Sequence, residues 1–267
     1  HTEKNLADMA YTLQVGRSHF SYRIAIPYVS YEDLLSSLSD TLPVAIPNAP
    51  PKPRQIIFGF VGQGAQYASM AKHLYKEQPL VKQTIDDCCD YLASDLQLDL
   101  RTLLFPEDNQ CPLEEAHQKL KETEYAQPAL FIVEYAISKL LMSLGIHPTA
   151  MIGHSVGEYV AATLAGVFSL ENALKIISIR AKLMGKTTSA GAMLAVPLSK
   201  ERLLPLLTDK VELAVHSTPT LCMVSGLKEE LLQFEKVIQP LLNEEHLSCQ
   251  YLQTSGAFHS KHMDEIL

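Results

Sequence analysis

The chain has 267 residues with a formal net charge of −8, 47% hydrophobic and 19% charged residues, ordinary values for a soluble protein able to bury a sizeable core in one large or two small domains. This charge balance argues against a nucleic-acid partner and obliges any anionic substrate to find a local basic spot. No apolar run approaches a membrane span and no signal peptide opens the chain, and Cys88, Cys89, Cys111, Cys222 and Cys249 have neither metal-ligand nor disulfide spacing, which predicts reduced thiols in a cytoplasmic protein.

Leu6, Met9, Ala10 and Leu13 recur at helical spacing, Tyr22 to Ile26 reads as a strand, and Tyr31 to Leu42 reads as a second helix. This opening segment is too small to be stable alone. Five prolines between Pro43 and Pro53 mark a linker. A new folding unit begins at Gln55 with the apolar run Ile56 to Val61, suited to a buried parallel strand. The turn Gly62-Gln63-Gly64-Ala65-Gln66 follows. It is not a phosphate loop, because no Lys-Ser/Thr pair closes it. Helices are predicted from Ala68, over Val81 to Leu92 and over Leu96 to Leu104, with a polar loop from Pro106 to Pro112. Pro128 is expected in the first turn of the next helix, where its missing N–H costs nothing. Leu130, Val133, Ile137, Leu140, Leu141 and Leu144 would form one apolar face of that helix, ended by Gly145.

Ala150 to Glu158 reads strand, turn, helix, with Ser155 between Gly153 and Gly157. This is the G-x-S-x-G elbow, which exposes a serine hydroxyl at the N-terminus of a helix, where negative charge is stabilised. Ser169 caps the following helix, expected to end near Met184 and Gly185 with Ala173, Ile177, Ala181 and Met184 as its buried stripe. Arg180 lies on that stripe. A guanidinium there needs an anion, internal or bound, or must snorkel to water. The pattern from Met193 to Leu252 then reads βαββαβ, the ferredoxin-like arrangement. Alternating strands and helices elsewhere predict a parallel α/β sheet. A serine nucleophile needs a base. His154 lies within the elbow, whereas His259 follows the βαββαβ segment, where the chain returns to the sheet.

Taken with Gly62-Gln63-Gly64-Ala65-Gln66, these segments form a series: Gln127-Pro128-Ala129-Leu130-Phe131, Gly153-His154-Ser155-Val156-Gly157-Glu158, Arg180 to Met184, Gly191-Ala192-Met193, Val224-Ser225-Gly226 and Ala257-Phe258-His259-Ser260. In order and spacing the series resembles the acyltransferase domain of modular type I polyketide synthases and, more distantly, malonyl-CoA:acyl carrier protein transacylases. Residues Ala7 to Arg17 resemble the linker that joins ketosynthase to acyltransferase in such synthases.

The resemblance implies a linker over residues 1–54 and an acyltransferase domain over 55–267 that the family would continue beyond Leu267, with the carbonyl that orients the histidine in that continuation. Within the domain it implies an α/β-hydrolase-like large subdomain (55–189 and 254–267) with a parallel sheet, and an inserted ferredoxin-like small subdomain (190–253). It further implies that Ser155 takes an acyl group, most simply malonyl from malonyl-CoA, and passes it to the phosphopantetheine thiol of an acyl carrier protein. In that scheme His259 is general base and acid, the N–H groups of Gln63 and Val156 form the oxyanion hole, and Arg180 binds the substrate carboxylate. Phe258, where the family varies with its extender unit, implies malonyl rather than methylmalonyl. No cofactor or metal is implied, and the adjoining ketosynthase and other synthase domains are the expected covalent partners. Val61 stands where the family more often has proline or serine, His216 where it usually has asparagine, and Gly256 where it often has histidine. A serine esterase or thioesterase on the same elbow is the alternative, and a purely structural segment of a synthase is a third possibility. Arg180 and the βαββαβ segment favour transfer, since a generic esterase needs neither.

Overall fold

Two units divide the chain, His1–Gln55 and Ile56–Leu267. The computed structural model describes residues 5–20, 22–39, 46–47, 55–109, 111–187, 191–252 and 256–266. In the first unit, α1 (Leu6–Val15) starts at Asn5, whose side chain accepts from the N–H groups of Ala7 and Asp8 at 3.0 and 3.3 Å. Strand β1 is Tyr22–Arg23, shorter than expected. Helix α2 spans Tyr31–Ser39, with Ser30 Oγ accepting from Asp33 N–H at 3.1 Å across its first turn. Strand β2 (Ile46–Pro47) pairs antiparallel with β1. Neither helix buries a residue, and Tyr11, Leu13 and Val15 of α1 and Leu35 and Leu38 of α2 are exposed. The rest of the proline-rich stretch lies outside the described residues.

The second unit begins with β3 (Ile57–Phe60), then α3 (Lys72–Glu77), α4 (Pro79–Leu96), α5 (Arg101–Leu104), a 3-10 turn at Pro106–Asn109, α6 (Leu113–Lys119) and α7 (Thr123–Ser143). Strand β4 (Ala150–Gly153), α8 (Gly157–Leu164) and α9 (Leu170–Thr187) follow. Strands β3 and β4 run parallel, in register from Ile57 opposite Ala150 to Phe60 opposite Gly153. That register brings the two glycine turns, which follow β3 and β4, to the same end of the sheet. A single apolar cluster holds these elements together, including Phe58 and Phe60, Ile85 and Leu92, Phe131 and Ile132, Val160 and Ile177.

Four expectations need correction. Leu96 to Leu104 is not one helix, because Leu96 ends α4 and α5 starts only at Arg101. Helix α7 starts at Thr123, so Pro128 lies inside it rather than at its first turn; the break this would cause is offset by burial, because Ala126 through Val133 are all buried. That half of α7 is enclosed on all sides, whereas Leu144, expected on its apolar face, is 68% exposed just beyond its end. Gly185 does not end α9, which continues to Thr187. Helix α6 is not legible as a helix in the sequence, since its seven residues are largely charged or polar and only Ala116 is buried.

The remaining strands are β5 (Gly191–Val196), β6 (Glu212–Thr218), β7 (Leu221–Leu227) and β8 (Gln250–Tyr251), with α10 (Lys200–Leu203) between β5 and β6 and α11 (Lys228–Glu244) between β7 and β8. They form one antiparallel sheet in the order β6-β7-β5-β8, the order a βαββαβ chain adopts. Leu194, Val196 and Val224 from this sheet pack on Leu231, Phe234, Ile238 and Leu242, spaced by three and four along α11. The architecture is therefore α/β, with a parallel pair and a separate antiparallel sheet. After β8 the chain returns against the start of β5. A Cβ on Gly191 would lie 2.2 Å from the Ala257 nitrogen, so only glycine allows the segment carrying His259 to pack this closely.

Candidate active site

The turn after β4 is held by steric necessity. A Cβ on Gly153 would stand 2.1 Å from the Glu158 nitrogen, and one on Gly157 would stand 2.6 Å from the Phe60 carbonyl oxygen. Between them Ser155 adopts φ 53°, left-handed for a residue with a Cβ. Such a conformation costs about 1–3 kcal/mol and persists only where its surroundings enforce it. It projects the hydroxyl above the N-terminus of α8.

His259, at φ 55°, is in the same region, and its Nε2 lies 3.1 Å from Ser155 Oγ. The residue keeps an exposed edge. Its basicity is nonetheless lowered from the ordinary 6.5, first by burial of the ring, then by the Arg180 and His154 charges, with Glu158 opposing. The geometry thus puts the imidazole within hydrogen-bonding reach of a hydroxyl 104 residues earlier in the chain.

Arg180 reaches the same oxygen from α9, with Nη2 at 3.4 Å from Ser155 Oγ. Its Nη1 donates to Gln127 Oε1 at 2.5 Å, and its Cζ lies 5.5 Å from the centroid of the Tyr159 ring. Burial lowers its basicity, with Tyr159 opposing. Among the described residues no carboxylate pairs with it. Of the readings open for this side chain, an internal ion pair is absent there, and a half-buried, hydrogen-bonded cation facing a cavity remains.

That cavity, about 740 Å³, is lined among others by Tyr159, Arg180, Leu183, Met184, His259 and Met263. Phe258 is buried in a cluster with Met184, Met193 and Met263. Met184 and Met263 of that cluster line the cavity, and Phe258 does not. The Gln63 and Val156 N–H groups donate no hydrogen bond among the described residues. Both lie just beyond the paired ends of β3 and β4. His216 is exposed on β6. The described residues contain no group of three or more His, Cys, Asp or Glu able to hold a metal ion.

Gln127 belongs to one of the sequence motifs, yet the sequence reading assigns it no role. It is 1% exposed. Besides accepting from Arg180, it donates from Nε2 toward Gln63 Oε1 at 3.4 Å, while Gln63 Nε2 donates to Thr123 Oγ1 at 3.1 Å. The signal that marks Arg180 could have marked Gln127 too. It is a polar side chain three and four residues before Leu130 and Phe131 on a buried face, and such a group must be hydrogen-bonded.

Residues 57–267 match the family described as "Acyl transferase domain", and residues 1–43 match the "RhiE-like, KS-MAT linker domain". The chain belongs to the acyl transferase domain family. Among curated proteins it is 36% identical over 220 residues to a phenolphthiocerol/phthiocerol polyketide synthase of Mycobacterium tuberculosis, covering 82% of this chain and 14% of that protein. It is 30% identical over 270 residues to the PKS-NRPS hybrid synthetase ATPKS of Aspergillus niger, covering 98% and 14%. Among solved structures, the acyl transferase domain of ZmaA superposes with a TM-score of 0.83 at 38% identity, covering 99% of this chain and 60% of that one. The malonyl-CoA:acyl carrier protein transacylase fold is also similar: MCAT from Streptococcus pneumoniae gives 0.66 at 28% identity, covering 79% and 66%. The chain thus spans about one seventh of these two curated synthases. It is an acyltransferase domain of polyketide-synthase type, next to a segment of ketosynthase-linker type, and among the described residues no helix is long and apolar enough to cross a membrane.

Proposed function

We propose that this domain transfers malonyl from malonyl-CoA to the phosphopantetheine thiol of an acyl carrier protein through an ester on Ser155. The observation that carries this reading is the convergence on one oxygen: His259 Nε2 at 3.1 Å and the Arg180 guanidinium, without a carboxylate partner among the described residues, at 3.4 Å. His259 accepts the Ser155 proton as Oγ attacks the thioester carbonyl. The oxyanion that forms is met by the N–H groups of Gln63 and Val156, preorganised donors that gain most as charge develops. Collapse breaks the C–S bond, and His259 returns the proton to the departing CoA sulfur. In the second half the carrier thiol gives its proton to His259 and attacks the ester, and Ser155 Oγ leaves with that proton.

Arg180 supports a short diacid. In malonyl the free carboxylate carbon is two carbon–carbon bonds of about 1.5 Å from the thioester carbon. A carbonyl poised for attack on Oγ therefore presents its carboxylate to a guanidinium that already approaches that oxygen. The fork can grip it bidentately. An esterase needs no such cation, and incubation with malonyl-CoA with and without carrier protein separates transfer from hydrolysis. On this reading residues 55–189 and 254–267 carry nucleophile and base. Residues 190–253 form the smaller inserted subdomain, with Glu212 at the cavity. The reaction needs no cofactor or metal.

Two expected results test details of this scheme. Because His259 acts as a neutral base and its surroundings lower its pKa, the rate of Ser155 acylation should rise with pH and level off, with its midpoint below 6.5. Removing the nearby cation in Arg180→Gln should move that midpoint upward. A wild-type midpoint at or above 6.5 in stopped-flow acylation would contradict the assignment.

Phe258→Ser should relax the preference for malonyl over methylmalonyl. The phenyl ring clusters with Met184 and Met263, which line the cavity, so its loss lets them retreat from an α-methyl group. One methyl is worth roughly 10- to 200-fold in discrimination. Competing the two CoA esters for Ser155 measures it, and an unchanged ratio would remove Phe258 from selectivity.

A further inference from the structure

Helix α7 carries a polar stripe that the acyl-transfer scheme does not use in full. Thr123, Gln127 and Glu134 are spaced by four and seven residues, hence on one face. The first two hold the Gln63 side chain. Glu134 Oε1 accepts from the Val61 N–H at 2.7 Å, while its Oε2 is buried with no hydrogen-bond partner among the described residues. An acidic side chain tied to one backbone amide, its other oxygen unpaired, is a costly arrangement. Burial pushes its carboxyl up to about 7, against the opposing pull of the Val61 amide. The fold retains it beside the turn that bears Gln63.

We infer that Glu134 is a positioning residue that fixes the Val61–Gly62–Gln63 backbone and so aims the Gln63 N–H at the oxyanion. This rests on the acyl-transfer reading for its consequence, though not for its geometry. Val61 and Gln63 are the two ends of a three-residue segment. With the Val61 amide held by Glu134 and the Gln63 side chain held by Thr123 and Gln127, the peptide planes between them have little freedom to rotate. A donor aimed wrongly loses its value for a developing charge, since such stabilisation depends on preorganisation. Val61 is essential to the device. A proline there would offer no N–H and would restrain the backbone through its own ring instead.

The test compares wild type, Glu134→Gln, Glu134→Leu, Val61→Pro and the double variant Val61→Pro/Glu134→Leu in purified protein. Two readouts are followed: the rate of Ser155 acylation against malonyl-CoA concentration, and backbone amide exchange by mass spectrometry. Glu134→Leu should lower the saturating rate about 10- to 100-fold, less than outright removal of an oxyanion donor, with the half-saturating concentration nearly unchanged. Exchange should quicken in the peptide spanning Val61 to Gln66. Glu134→Gln, which keeps an acceptor, should recover most of the rate and protection. In the Val61→Pro background the leucine change should have little further effect, because the donor is already gone. Wild-type rate and local exchange in Glu134→Leu would overturn the inference, as would a glutamine variant as impaired as leucine with exchange raised throughout the chain. If wild type forms no acyl-enzyme, the acyl-transfer reading falls. Exchange then decides alone: faster local exchange in leucine but not glutamine supports the positioning role, and equal exchange overturns it.

Discussion

Ser155→Ala is expected to abolish the malonyl adduct that intact-mass measurement detects on the wild-type protein, and to lower carrier-protein loading roughly a thousandfold or more. The reason is geometric. Ser155 is a hydroxyl held in a left-handed conformation at φ 53°, with Nε2 of His259 at 3.1 Å, and no other hydroxyl is hydrogen-bonded to that ring among the described residues. Alanine keeps the turn and removes only the nucleophile. His259→Ala should remove most of the rate while leaving Ser155 in place, because an unassisted hydroxyl attacks a thioester poorly. An adduct that survives in Ser155→Ala would place the nucleophile elsewhere and end the assignment.

The second large effect is expected at Arg180. Arg180→Ala should slow malonyl transfer by roughly 2–5 kcal/mol, or about 30- to 4,000-fold, and slow acetyl transfer far less. A ground-state carboxylate left without its partner in the cavity carries this cost, and an acetyl group has no carboxylate to strand. The contacts of Arg180 with Gln127 and Tyr159 allow a different outcome, in which the side chain serves only to hold α7, α8 and α9 together. That role predicts equal losses for both acyl groups and a lower thermal midpoint. Measuring both esters and the midpoint on one variant separates the two.

Local chemistry is legible in the sequence. The elbow can be read because a strand, a turn between two glycines and a helix each leave a pattern within a few residues. The Ala173, Ile177, Ala181 and Met184 stripe of α9 is buried as the spacing indicates, and the same spacing exposes Arg180 as a cation that needs an explanation. The βαββαβ order is visible because its strands and helices each have a clear period. The resemblance to acyltransferases rests on the same short segments, and the family match bears it out.

Other features are set by the tertiary structure. Hydrophobic period tells which face is buried but not what lies against it, so α7 reads as one-sided although Ala126 to Val133 are enclosed. Pro128 reads as a helix start, yet packing carries the helix through it. The meeting of Ser155 with His259, of Arg180 with Gln127 and of Glu134 with Val61 joins residues separated by 104, 53 and 73 positions. Sequence by itself determined which side chains were chemically out of place on their elements: a serine in a strained turn, and an arginine on an apolar stripe. Which groups they satisfy was decided only when the parallel register of β3 and β4 and the return of the chain against Gly191 brought distant segments together, because a hydrogen bond depends on position in space and a local pattern carries no information about that.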